Sequence, residues 1–212
     1  MSSYLLDIAH RDTRVVRAVD FPSPSAGKEL RRLADAGALL RLAHGYYALV
    51  PEARRGDEGA WRPEVEAAAL AIATADYGVE KVALIGPSAA RLHGCYPRAL
   101  STAVVAVPSQ RPIRETIAGN VKFVVRDVSK LDLVRVDTEL TRGWMTSIEE
   151  TLLDLSGDWP RWPISETARA EMLELLAAQA SNKMLNEIVG RSRNGAAFRR
   201  LSGIMRDDSP GN

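Results

Sequence analysis

Apolar and polar positions along the first fifty residues alternate with two different periods. Over residues 25–36, Leu30, Leu33 and Ala34 recur at helical spacing on one side, with Lys28, Arg31 and Arg32 on the other. Ser25 is a natural helix start and Gly37 a natural stop. From Leu39 to Val50 the pattern becomes strand-like, rich in Leu, Tyr and Val, and His44-Gly45 interrupts it. That interruption predicts a β-hairpin. Upstream, residues 3–11 read as one helix and residues 13–21 as a β-rich stretch, which Pro22-Ser23-Pro24 breaks.

Residues 51–63 carry prolines at both ends, Gly56, Gly59 and charges of both signs, with almost no apolar period. They predict a linker between a first unit (residues 1–50) and a second (residues 64–212). Beyond it, residues 64–77 form an Ala-rich helical stretch, and residues 82–85 a short strand running into Gly86-Pro87-Ser88. Residues 101–107, 121–125 and 133–140 predict strands, with a further one at 144–146. Helices are expected at 147–155, 166–180, 182–189 and 195–205. This order predicts an α+β fold rather than a doubly wound parallel sheet.

A leucine-backed helix that turns Lys28, Arg31 and Arg32 outward, followed by a hairpin, is the order of a winged helix-turn-helix. The major groove admits a helix, and arginine pairs with guanine edges or with phosphates. Candidate DNA-binding residues are therefore Ser25, Lys28, Arg31, Arg32, Arg41, His44 and Tyr46. The second scaffold helix of such a unit is not visible in residues 1–24. A unit of ~60 residues buries only about 60% of its unfolded surface, so this one is expected to lean on the rest of the chain.

Charge shapes this reading. With 28 Lys and Arg against 27 Asp and Glu, the net charge is +1, so attraction to nucleic acid must come from local clusters. A second such cluster is Arg191, Arg193, Arg199 and Arg200 near the C-terminus, a candidate contact to DNA phosphate or to an acidic protein face. The single cysteine, Cys95, permits no internal disulfide and fits a reducing compartment. Together with the lack of a ~20-residue apolar stretch and of signal-peptide features, it points to a cytoplasmic protein without membrane association.

Three blocks resemble AbiEi-type antitoxins. RRLADAGALLRLAHGYYALV is similar to the family's winged-helix segment. ALIGPSAARLHG, from Ala83, resembles its strand-turn-helix, and SIEETLLD, from Ser147, its later helix. The blocks fall in order over residues 25–156. The resemblance implies a protein that binds inverted repeats in double-stranded operator DNA, represses its own operon and counteracts an AbiEii-like nucleotidyltransferase toxin. It places DNA contacts at Lys28, Arg31, Arg32, Arg41 and His44, and neutralisation in the second unit. The alternative is a stand-alone winged-helix regulator with a sensing or protein-interaction second domain.

Enzyme readings find little support. A nucleotidyltransferase needs paired carboxylates soon after its Gly-Ser turn, and residues 89–113 contain no Asp or Glu. A nuclease would need Asp127, Asp132 and Asp137 gathered together. His93 beside Cys95 and Ser88 lacks an orienting partner and is read as a packing residue. The four tryptophans are read as packing anchors. No cofactor, metal or catalytic residue is expected.

Overall fold

The computed structural model describes residues 3–55, 61–157 and 162–191. They form an α+β fold of seven α-helices and two sheets. No helix among them is long and apolar enough to cross a membrane.

The chain opens with α1 (Ser3–Ala9), β1 (Val15–Val16) and a 3-10 turn (Ala18–Asp20). Next come α2 (Ala26–Asp35) and a hairpin of β2 (Leu39–Ala43) and β3 (Tyr46–Leu49). Strand β1 pairs antiparallel with β3, giving a three-stranded sheet in the order β1-β3-β2. The β-rich stretch at 13–21 is thus only partly extended. Two residues join the sheet, and the next three coil because the Asp20 carboxylate accepts the Arg17 N–H at 2.7 Å.

The rest of the described chain contains α3 (Val65–Tyr77), β4 (Ala83–Leu84), α4 (Pro87–Leu92), β5 (Thr102–Val107), β6 (Arg114–Thr116), β7 (Gly119–Val125), β8 (Leu133–Asp137) and β9 (Arg142–Thr146). Helices α5 (Ile148–Ser156), α6 (Glu166–Gln179) and α7 (Asn182–Arg191) follow. Their six strands form a mixed sheet ordered β6-β7-β5-β4-β9-β8. Strand β6 was not expected, since Arg114-Glu115-Thr116 has no apolar alternation; pairing with β7 alone makes it a strand. The strand expected over 133–140 stops at Asp137, where Thr138 turns back to accept from and donate to Thr141. The helix expected at 195–205 lies outside the described residues.

Three apolar clusters organise these layers. Beneath α2, Leu30 and Leu33 meet Leu5, Ile8, Val16 and Leu39. On one face of the large sheet, α5, α6 and α7 cover Ile85, Val104 and Ala106 with Leu152, Leu155, Met172 and Ile188. Between the two sheets lies α3. It is buried from Val65 through Thr74, and its cluster takes Val15, Leu42, Tyr46 and Ala48 from the small sheet and Val105, Val121 and Phe123 from the large one. A helix with a sheet on either side has no solvent face to mark with polar residues. Its alanines let both sheets approach closely.

Both margins of the small sheet are stitched to the large one. On the β1 side, Arg14 N–H donates to the Leu140 carbonyl at 2.8 Å, and Thr13 bridges Thr141. On the β2 side, Ile117 N–H donates to the Leu42 carbonyl at 2.9 Å. Residues 51–63 therefore join two stretches of chain whose side chains share one core. The expectation that the N-terminal unit leans on the rest agrees with this packing.

Candidate nucleic-acid interface

Helix α2 is anchored by Ala26, Leu30 and Leu33, each no more than 4% exposed. That anchoring turns Lys28, Arg31 and Arg32 outward, where all three are exposed and no part of the large sheet or its helices covers them. They are not equivalent. The Arg32 guanidinium grips Glu29 through two hydrogen bonds, at 2.9 and 2.7 Å. Those bonds draw the Glu29 carboxyl below its ordinary range and raise the Arg32 guanidinium. Lys28 and Arg31 have no carboxylate partner among the described residues. Arg32 must release Glu29, or bring a negative charge with it, before it can meet a phosphate.

Ser25 flanks α2 at its start, but its side chain does not cap the helix. Its φ of −89° and ψ of 0° depart from the extended geometry that aims a capping oxygen at the first turn. The hydroxyl lies 2.9 Å from that of Ser23 instead, and the Ser25 carbonyl accepts from Lys28 and Glu29. The side chain is exposed at the positive end of the helix.

In the hairpin, Leu39 packs towards α2. Side chains alternate along a strand, so Arg41 falls on that same side. Arg41 and His44 are both exposed, with Nη2 and Nδ1 3.3 Å apart, and Gly45 (φ +81°) makes the turn beside them. Lys28, Arg31 and Arg32 on α2, and Arg41 and His44 on the hairpin packed against it, are thus all exposed.

Tyr46 does not join it, which corrects the expectation. It is 5% exposed, its ring lies in the cluster around α3, and its hydroxyl donates to Asp76 at 2.8 Å. Burial and that hydrogen bond push the phenol upward. Tyr47 points the other way, into the cluster beneath α2. Both tyrosines are core residues because the hairpin lies flat on α3 and α2 rather than projecting from them.

The second basic cluster is also reduced. Arg191 pairs with Asp132 at 3.2 Å, tying the end of α7 to the loop before β8, so it is not a free cation. Arg193, Arg199 and Arg200 lie outside the described residues.

The two later blocks form a buried joint rather than a surface. Strands β4 and β9 are parallel neighbours, with Leu84 opposite Met145. Ser88 Oγ accepts the Val104 N–H at 2.7 Å, and a His93 ring nitrogen lies 2.8 Å from the Thr146 carbonyl. Ser147 Oγ caps α5 by accepting the Glu150 N–H. Trp162, 5% exposed, lies against Gly86 and donates its indole N–H to the Asp154 carbonyl. These are packing roles, as expected for His93 and Trp162; Trp159 lies outside the described residues.

Asp127, Asp132 and Asp137 are engaged separately: Asp127 by Ser129 and Lys130, Asp132 by Arg191, and Asp137 by Arg142. Among the described residues no group of three His, Cys, Asp or Glu side chains is placed to hold a metal ion.

Buried acids form a further set. Arg126 bridges Glu150 and Asp154 behind the large sheet. Glu66, wholly buried on α3, meets Arg91 at 3.1 Å, while its Oε1 has no hydrogen-bond partner. Burial raises the Glu66 carboxyl, against the opposing pull of Arg91. A carboxyl raised on folding adds stability below its unfolded value, and that contribution is lost as pH rises through its folded value. Glu66→Gln should therefore remove part of any decline in melting temperature as pH rises above the ordinary carboxylate range. Parallel melts showing the same pH dependence in both proteins would refute the assignment.

Sequence reasoning passed over Asp76. Its side chain is fully buried at the end of α3 and pairs with Arg17 at 2.6 Å and Arg111 at 2.8 Å. One signal was available. An acid in the last turn of a helix opposes the helix dipole, and it persists only with compensating donors.

No protein-family model matches this chain, and no curated protein matches it.

Proposed function

We propose that the chain is an antitoxin-type autorepressor: it binds operator DNA through α2 and the β2–β3 hairpin, and it counteracts a nucleotidyltransferase toxin encoded beside it. The observation that carries the DNA reading is the presentation of Lys28 and Arg31, exposed and without a carboxylate partner among the described residues, on a helix fixed by Leu30 and Leu33. Arg41 and His44 lie on the same side of the neighbouring strand. The order helix, strand, short turn, helix, hairpin, with β1 against β3, supports a winged helix-turn-helix. In this reading the 3-10 turn at Ala18–Asp20 stands where the second helix of such a unit would be.

In this reading α2 enters the major groove and Arg41 and His44 meet the adjacent backbone. Arg31→Ala should weaken binding to the DNA upstream of the gene by ~1–3 kcal/mol if the guanidinium reads a base, with loss of sequence preference. Lys28→Ala should weaken all sequences alike and lower the salt slope by ~0.9, as for one lost phosphate contact. Arg32→Ala should have the smallest effect, since Glu29 already engages it. Salt titrations of binding to operator and scrambled duplexes measure all three. Wild-type behaviour from both Arg31→Ala and Lys28→Ala would remove α2 from the interface.

The antitoxin part rests on the three resembling blocks and their order. Co-expression with the adjacent gene tests it: growth should be rescued by this chain. A neighbour that is not a nucleotidyltransferase would end that part of the proposal.

A further inference from the structure

We infer that Asp76, supplied by α3 of the second unit, is a positioning residue for the DNA-facing surface: one buried carboxylate fixes α2 and the hairpin relative to each other. The inference rests on the DNA-binding reading above. Asp76 receives Arg17 Nη1 at 2.6 Å on Oδ1 and Arg111 Nη1 at 2.8 Å on Oδ2. The Tyr46 hydroxyl lies 2.8 and 2.9 Å from the two oxygens. The side chain is 0% exposed, so no water competes for these contacts.

Two of the three donors belong to segments that set the DNA-facing parts. Arg17 starts the 3-10 turn leading to α2, and its Nε and Nη2 hold Asp20 at 3.1 and 2.7 Å. That turn rests on α2, with Ala18 beside Gly27. Tyr46 is the first residue of β3, directly after the turn that carries His44. The third donor, Arg111, comes from the loop before β6; its Nε donates to Tyr77 at 2.6 Å. Arg114 lies over the Tyr46 ring with its centre 4.8 Å away. The Tyr46 ring thus sits between Asp76 and a cation.

Neutralising Asp76 leaves Arg17 and Arg111 facing each other without the charge between them, and removes the strongest acceptor of Tyr46. The small sheet keeps its backbone pairing and its apolar contacts. What loosens is the setting of α2 against the hairpin. Attraction to phosphate tolerates such play, whereas base reading needs fixed geometry. A loss of fold, by contrast, would reduce specific and nonspecific binding by the same factor.

The test uses the full chain with Asp76→Asn, at a temperature where circular dichroism shows it folded. Binding to the operator and to a scrambled duplex of equal length is compared, and amide exchange is followed in residues 39–49 and in α5 and α6. Expected are a roughly tenfold fall in the operator-to-scrambled ratio and faster exchange in the hairpin, with exchange in α5 and α6 unchanged. Leu173→Ala, which destabilises the cluster on the other side of the large sheet, should leave the ratio intact. An unchanged ratio and unchanged hairpin exchange in folded Asp76→Asn would overturn the inference. If the wild type shows no operator preference, the DNA reading fails, and hairpin exchange alone decides whether Asp76 positions these segments. Should Asp76→Asn not fold, Tyr46→Phe, which removes only the hydroxyl donor, is read by the same two measurements.

Discussion

A chain beginning at residue 63 is expected to be insoluble or molten, even though it keeps the whole large sheet. Its loss is on one side of α3, where Val15, Leu42, Tyr46 and Ala48 complete the cluster around Leu70 and Ala71. Covering a large apolar side chain is worth ~1.5–3 kcal/mol. Stripping three such residues from the cluster costs on the order of 5 kcal/mol, comparable with the ~5–15 kcal/mol that holds a typical domain together. The truncation also leaves Asp76 without Arg17 and Tyr46. Soluble yield, near-ultraviolet circular dichroism and dye binding to exposed apolar surface measure the outcome. A monomeric fragment with native-like spectra would show the shared cluster to be dispensable, and would allow the proposed toxin protection to be assayed apart from the proposed repression. If the fragment fails as expected, that division of labour must be tested with point variants on α2 instead.

Gly86→Ala should cost roughly 3 kcal/mol or more, a large effect for a single methyl group. Gly86 has φ +54°, a conformation that disfavours any Cβ. A Cβ built there would lie 2.5–2.8 Å from three atoms of the Trp162 ring. That ring is 5% exposed and held by its hydrogen bond to the Asp154 carbonyl, so it can give way only by breaking the bond or opening the cluster behind it. Strain and overpacking each contribute ~1–3 kcal/mol in such cases. Urea unfolding of the two proteins, followed by far-ultraviolet circular dichroism, provides the measurement. A midpoint within error of wild type would mean that the ring shifts freely. In a Trp162→Ala background Gly86→Ala should cost less than in the wild type, because the obstacle is gone and only the backbone strain is left.

Much of the fold was legible because its elements follow strong local rules. Helix α2, the β2–β3 hairpin and α5 appear within a residue or two of their expected bounds, since leucine spacing, Gly37, Gly45 and Ser147 mark them directly. Helix α3 was legible as a helix but not as the centre of the molecule. An alanine-rich run reads as high helical propensity, and nothing in it says that both sides are covered. Strand β6 was illegible, because Arg114-Glu115-Thr116 owes its extension to a neighbour. At the candidate interface, the exposure of Lys28 and Arg31 followed from their spacing against buried leucines, and that of Arg41 and His44 agrees with their place on the hairpin. The inward turn of Tyr46 did not, because it depends on Asp76, thirty residues away. The quenching of Arg32 by Glu29 was within reach: the two stand three apart on one helix, a spacing at which opposite charges meet.

A short antiparallel sheet with bare margins is a template on which another chain can lay a strand. Here Leu140 and Thr141 take up part of one margin of the β1-β3-β2 sheet, and Ile117 takes up part of the other. A second chain laid along either margin would therefore have to displace these contacts before it could extend the sheet.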